Sequence, residues 1–409
     1  MDNTPDNQCL LVARQPIFDQ HQKVVAYELL YRPDDQGAGA ARLEGADNNG
    51  EIILNVYTSI SDAGSVRRVP AFVPVSRELL LSGYFPDLPS KQVVIELTPG
   101  TEPDPAYEQA ALKLVKDGYR LALCNFRYHS SQDTLLRAAQ IVKLDVRQFS
   151  QSELDQQLHL MQPFKVAFLS EGIDNFTQLE RCIDMGFKLY QGSFLSKPKL
   201  VKERRVSAKQ FTLLQLIQEL QKPATTPDKL EALIIRDPVL TFKLLRIVNS
   251  AAYALVRKVE SIAQAVVLLG LEQVKKWATL ISMSANKDKP EELSRVLLIR
   301  GRMCELVAVT QRLPGSSSSY FMAGMMSGLH AMLDIERDAM LNQVPLGDDV
   351  KAAIRNGEGP MGEVLTHVIN YESGDWDRLP ADFDGALYDW AYRASLQWTQ
   401  ESMQAMYDD

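Results

Sequence analysis

Polar and ionisable residues stand at the ends of short apolar runs throughout the first half of the chain: Glu28, Ser76, Glu96, Cys124 with Asn125, Asp145 after Lys143, Glu171 and Gln191. A charged group near an apolar interior is costly unless it binds a metal, a ligand or another charge. Several acids at neighbouring strand ends therefore suggest metal-assisted hydrolysis. The opposing reading makes each of them a strand end facing solvent. One stretch breaks the acidic pattern, because Arg120-Leu-Ala-Leu-Cys-Asn-Phe126 ends on Cys124 and Asn125 and carries no carboxylate.

The elements that must position these residues are set by the periodicity. Apolar, β-rich runs at 24–31, 71–76, 93–98, 120–126, 141–146, 165–170 and 189–195 read as strands, and 50–60, 106–118, 134–140 and 175–186 read as helices between them. Gly118 and Gly186 sit where helix C-caps belong. Strand and helix in alternation predict a mostly parallel sheet, and seven or eight strands in roughly 200 residues suit a TIM-like α/β barrel. In such a barrel the C-terminal strand ends hold the chemistry.

These residues also carry a family resemblance. Gln15-Pro-Ile-Phe18 followed by Ala26-Tyr-Glu-Leu-Leu-Tyr-Arg32 resembles the opening of an EAL domain, the cyclic di-GMP phosphodiesterase barrel. Ile95-Glu-Leu-Thr98, Val142-Lys-Leu-Asp145, Ser170-Glu-Gly-Ile-Asp174 and Gln191-Gly-Ser-Phe-Leu-Ser-Lys-Pro198 resemble its later signatures, in order, across residues 1–200. The resemblance implies that Glu28, Glu96, Lys143, Asp145, Glu171 and Gln191 descend from a site for two divalent cations, and that Arg32 contacts a ligand phosphate. The departures are Pro74 where the family has Asn, Pro99 at its second Glu, Cys124 and Asn125 at its Asp-Asp pair, and Phe126-Arg-Tyr-His129 in place of Phe-Gly-Thr-Gly. Mg²⁺ needs several oxygen ligands, and a proline side chain offers none. Neutral Cys and Asn cannot bridge two cations. The expectation is a vestigial, non-catalytic barrel with no metal and no cofactor, its acids paired with Lys143 and Arg32. The alternatives are a non-hydrolytic cyclic di-GMP receptor and a phosphodiesterase with a rearranged metal site.

Past the basic run between Lys197 and Lys209, read as the domain boundary, strand signals give way to helical periodicity. Asp237 and Pro238 read as N-cap and first residue of a helix that ends at Asn249-Ser250, and Ser261 opens another that Gly270 closes. Further helices are expected at 211–220, 271–283, 290–310, 320–334, 348–355 and 362–371. Arg236-Asp-Pro-Val-Leu240, Leu244-Leu-Arg-Ile-Val-Asn-Ser-Ala-Ala-Tyr253 and Ser261-Ile-Ala-Gln-Ala-Val-Val-Leu-Leu-Gly270 resemble an HDOD domain, the helical relative of metal phosphohydrolases that lacks their ligands. Residues 201–409 are read as this all-α domain. Its two histidines, His330 and His367, are too few for a histidine-aspartate metal site. His330 lies in an apolar run and reads as a core residue, and Cys304 as buried packing. Leu387, Trp390, Ala391, Ala394 and Trp398 recur at helical spacing and predict a C-terminal amphipathic helix that docks on the chain's own core.

Composition agrees with two folded domains: 409 residues, 45% hydrophobic and 23% charged. The cysteines Cys9, Cys124, Cys182 and Cys304 form no Cys-x-x-Cys pair, which argues against a disulfide framework or a zinc site. Without a signal peptide or a membrane span, the chain reads as cytoplasmic. The formal charge of -8 is concentrated in residues 372–409, where nine acids face only Arg378 and Arg393, so nucleic acid is not an expected partner. By the two resemblances the chain is a bacterial signalling protein of cyclic di-GMP-linked control, acting on motility, biofilm or gene expression through other signalling proteins or as a homo-oligomer.

Overall fold

A computed structural model describes residues 10–33, 57, 69–83, 85–100, 102, 104–197, 208–222, 225–249, 259–284 and 289–407. Eight strands close into a barrel in sequence order: β1 (Leu10–Phe18), β2 (Val24–Pro33), β3 (Ala71–Pro74), β4 (Val93–Leu97), β5 (Arg120–Leu123), β6 (Ile141–Asp145), β7 (Ala167–Glu171) and β8 (Leu189–Tyr190). The interior is filled by Ile17, Ala26, Phe72, Val94, Ala122 and Leu169, drawn from six strands. Helices Pro105–Lys116, Asp133–Ala138, Gln151–Met161 and Phe176–Asp184 alternate with the later strands. Asp104, Ser150 and Asn175 cap three of them by accepting a backbone N–H.

The expected mostly parallel sheet runs from β2 to β8, and its start is antiparallel. Residues 10–18 form a full strand that is not among those expected from periodicity, and it runs antiparallel to β2 along its whole length. A turn at Asp19–Lys23, closed by backbone bonds between Asp19 and both Gln22 and Lys23, joins the two as a hairpin. β1 meets β8 only at the pair Phe18 and Tyr190, so most of its second edge needs other partners.

Residues 370–389 supply some of them, and they belong to the same compact unit as the barrel. The Val12 N–H donates to the Tyr371 hydroxyl at 3.2 Å, and Gln15 Nε2 donates to the Ser373 carbonyl at 2.7 Å. Tyr371, Phe383 and Tyr388 stack as an aromatic group, with the Phe383 and Tyr388 centroids 4.4 Å apart.

The second unit, residues 195–369 with 390–409, is all-α among its described residues. Gly301 of helix Glu291–Thr310 and Gly324 of helix Ser317–Met326 let two backbones approach, since a Cβ on Gly324 would stand 2.7 Å from the Gly301 Cα. The expected helix at 320–334 is two helices, Ser317–Met326 and Leu329–Leu333, because Ser327 and Gly328 interrupt it. A helix at Arg337–Gln343 has no counterpart among those expected from periodicity. In the last helix, Gly385–Tyr407, the buried stripe is Tyr388, Ala391, Tyr392, Leu396 and Met403, rotated from the expected one, and Trp390 is 49% exposed. Trp398 stacks on Trp277 at 5.3 Å. The expected helix at 50–60, apart from Tyr57, and the basic run at 198–207 lie outside the described residues.

Gly192, two residues past the end of β8, has φ +153, and a Cβ there would lie 2.1 Å from the Ile173 carbonyl oxygen. Gly192→Ala is expected to cost at least about 3 kcal/mol in urea denaturation. Gly186→Ala, at φ +92 with open space around it, should cost only about 1–2 kcal/mol.

Candidate functional site

Alternation along each strand sends every second side chain into the barrel, and the last inward positions gather at the C-terminal mouth. Five sequence-predicted residues meet there around one atom. Lys143 Nζ, on β6, stands 2.7 Å from Glu28 Oε2 on β2, 3.4 Å from Glu96 Oε1 on β4 and 3.8 Å from Glu171 Oε2 at the end of β7. Gln191, just past β8, donates through Nε2 to Glu28 Oε2 and to Gln15 Oε1. Its Oε1 is buried and has no partner.

Three carboxylates face one ammonium, and protons make up part of the difference. Burial alone would raise Glu28, but the adjacent Lys143 outweighs it and holds Glu28 below the usual carboxylate range. Glu96 is pushed up to about 8 by burial and by the Glu28 charge, against the pull of the more distant Lys143. The two therefore divide the load: Glu28 is ionised on Lys143 and Glu96 keeps a proton near neutrality. Glu171, raised by burial, is the most accessible of the three, with its side chain 31% exposed. Burial opposes charge on Lys143 too, yet the three glutamates raise its pKa well above the ordinary lysine value.

Asp145 does not join this cluster. Arg147 holds it through Nε to Oδ1 and Nη2 to Oδ2, both at 2.9 Å, and the Arg147 backbone N–H adds a third bond. Burial would raise Asp145, and Arg147 lowers it. Sequence reading misses Arg147, although its place two residues after an acid at a strand end is a visible signal. Pro74 pairs with Glu96 in the ladder, and its carbonyl accepts from the Tyr31 hydroxyl at 2.5 Å. Cys124 is tied by its N–H to the Leu97 carbonyl, and burial together with the Glu96 charge pushes its thiol pKa up. Asn125 has φ +49 and faces solvent. Arg32 lies on β2, and its side chain is outside the described residues.

The donors suit a hard divalent cation: carboxylate oxygens of Glu28, Glu96 and Glu171, and the unpartnered Gln191 Oε1. Among the described residues no three His, Cys, Asp or Glu side chains have the arrangement of a metal site, because the glutamates converge on the ammonium of Lys143. A symmetric pair of cations is not matched, since Cys124 and Asn125 add no carboxylate and Asp145 is engaged by Arg147.

The signature residues of the helical unit do structural work. Asp237 accepts the N–H groups of Val239 and Leu240 at 2.9 and 3.1 Å, with Pro238 opening the helix. Asn249 clamps the chain from both sides of its amide: Nδ2 donates to the Leu245 and Val259 carbonyls, and Oδ1 accepts from the Val259 N–H. Gly270, at φ +86, closes helix Ile262–Leu269. Ser250 lies outside the described residues. His330 is buried, and burial with the nearby Arg337 lowers its pKa to about 4, so it is a neutral core residue.

The HDOD domain family matches residues 210–340. A Vibrio cholerae protein named cyclic di-GMP phosphodiesterase CdgJ is 30% identical over 368 residues, 89% of this chain and 85% of that one. The chain belongs to the EAL-HDOD family. The Bacillus subtilis protein YuxH, named as uncharacterised, is 29% identical over 97% of this chain and 99% of its own. Among solved structures, a standalone EAL protein of Vibrio cholerae O395 in its c-di-GMP bound form matches with TM-score 0.36 and 18% identity, over 46% of this chain and 90% of that one. The CdgJ match overturns one expectation from the sequence. Pro74, Pro99, Cys124 and Asn125 read as marks of a non-enzyme, yet a full-length relative of this EAL-HDOD chain is named as an enzyme. Counting absent ligands ignores the buried glutamates that remain. Among the described residues no helix is long and apolar enough to cross a membrane.

The cluster carries two expected outcomes. Lys143→Met strands Glu28 and Glu96 without a cation and should cost about 3–5 kcal/mol in denaturant unfolding of the metal-free chain. The raised Glu96 gives a pH signature. The folded chain binds a proton that the unfolded chain has released between pH 4.5 and about 8, so metal-free stability should fall with rising pH across that window. Glu96→Gln should flatten the slope.

Proposed function

We propose that the barrel hydrolyses a phosphodiester bond of cyclic di-GMP, with the Lys143-centred carboxylates as its reacting site. The observation that carries this reading is the surplus of carboxylates around a buried ammonium at the barrel mouth, three against one, with Glu28 and Glu96 themselves buried. Surplus buried negative charge is costly unless a cation meets it, so the site favours binding one. CdgJ, which shares most of the chain, is named for this reaction.

Glu28, Glu96, Glu171 and Gln191 Oε1 would hold a single divalent cation. Such an ion stabilises charge on a phosphoryl oxygen and acidifies a bound water. The chain's own groups do the rest. Lys143, drawn off Glu28 and Glu96, would present a point charge to a phosphate oxygen. Glu171, the most open of the three, is placed to orient or deprotonate a water from the solvent side. Arg32 is the candidate for the second phosphate, as a guanidinium that binds without metal.

The test is product analysis with the purified full chain, cyclic di-GMP and Mn²⁺ or Mg²⁺. Linear dinucleotide should appear, cease with chelator, and fall on the order of 100-fold or more in Glu28→Gln. Absence of product with either ion, or undiminished turnover in Glu28→Gln, would sink the proposal.

A further inference from the structure

Gln15 stands directly opposite Glu28 in the β1–β2 ladder, and its amide is engaged at both ends. Nε2 donates to the Ser373 carbonyl at 2.7 Å, and Oε1 accepts from Gln191 Nε2 at 3.3 Å. Gln191 Nε2 also donates to Glu28 Oε2. The two ends of this chain of bonds are a backbone carbonyl and an ionised carboxylate, and each can only accept. Ser373 therefore takes the NH₂ side of Gln15, which turns the Gln15 oxygen to Gln191. Gln191 must then present its own NH₂ to Gln15 and Glu28, and its Oε1 is left over. That oxygen is buried without a partner, on a residue 1% exposed. A buried acceptor with no donor is destabilising until something outside the chain meets it.

The Ser373 carbonyl is itself fixed by the way its helix ends. Helix Gly359–Glu372 closes with the Gly374 N–H on the Tyr371 carbonyl and the Asp375 N–H on the Asn370 carbonyl, and Gly374 takes φ +73. Carbonyls at the end of a helix have no partner within it, and Gln15 supplies one to Ser373. Gly374 lies tight on β2, since a Cβ there would stand 2.5 Å from the Cδ1 of Leu30, two residues past Glu28. Resting on the cation site of the proposed function, we propose that Gln15 is a positioning residue, which carries the fixed polarity of the Ser373 carbonyl to Gln191 and so commits Gln191 Oε1 as the oxygen offered to the cation. Residues 370–389 then complete a site whose ligands all stand before residue 200. The bond from the Val12 N–H to the Tyr371 hydroxyl holds the same segment on β1.

Calorimetric Mn²⁺ affinity of the full chain tests this apart from turnover, in wild type, Gln15→Met, Gln191→Leu and the double variant. Losing an outer partner of a ligand weakens metal binding roughly 10–100-fold. Gln15→Met should therefore bind Mn²⁺ about tenfold more weakly than wild type, and should add nothing to the loss in Gln191→Leu. A general fold defect would instead weaken both backgrounds alike. Saturating Mn²⁺ should return the turnover of Gln15→Met to the wild-type value. Equal Mn²⁺ affinity of Gln15→Met and wild type, losses that multiply in the double variant, or turnover that saturating Mn²⁺ does not restore, would overturn the positioning role while hydrolysis of cyclic di-GMP by wild type stood. No Mn²⁺ binding by wild type would overturn both readings.

Discussion

The constraint on which the barrel mouth depends is that one buried ammonium must answer three carboxylates, two of them buried. Lys143 is 3% exposed at its side chain, and Glu28, Glu96 and Glu171 reach it from three other strands. With all four groups ionised three negative charges face one positive, so a proton on Glu96 closes part of the gap. The strands must deliver these side chains to within ion-pair range of one nitrogen, or charges are left unpaired in a medium that punishes them. This couples the closure of the sheet to the chemistry at its end. It also leaves the mouth under-compensated, which is the property a cation or a charged ligand can use.

Much of the surrounding structure holds that arrangement in place. Gly192 lets the chain pass against Ile173 directly after Gln191, and Gln191 in turn orients Glu28. Residues 370–389 cap the open side of β1, where Gln15 bridges between Ser373 and the Gln191 amide. The helical unit plays a different part at the level of single residues. Asp237, Asn249 and Gly270 are spent on helix ends and on one chain clamp, so its signature reflects shape rather than chemistry.

The strands from β2 to β8 and most helices are legible in the sequence because period-two and period-3.6 patterns are local. β1 is not, since a hairpin partner leaves no helix between strands to punctuate the pattern. The rotated stripe of the last helix is also hidden: Tyr388 and Tyr392 are as apolar at one face as Trp390 is at the other, and only tertiary contact chooses between them. For the site, types and order identify Glu28, Glu96, Lys143, Glu171 and Gln191, but not that Asp145 turns to Arg147. Nor can a residue list weigh charge. Reading Pro74, Pro99, Cys124 and Asn125 as losses leads to a non-enzyme, whereas the burial of the remaining acids is a three-dimensional fact.

Anomalous diffraction from crystals of the full chain soaked in Mn²⁺ tests most directly whether the carboxylate surplus is a cation site. The account predicts one peak within ligand distance of the Glu28 and Glu96 carboxylates, with the Lys143 ammonium drawn away from them. A barrel mouth without a peak, Lys143 still seated among its three glutamates, would contradict it.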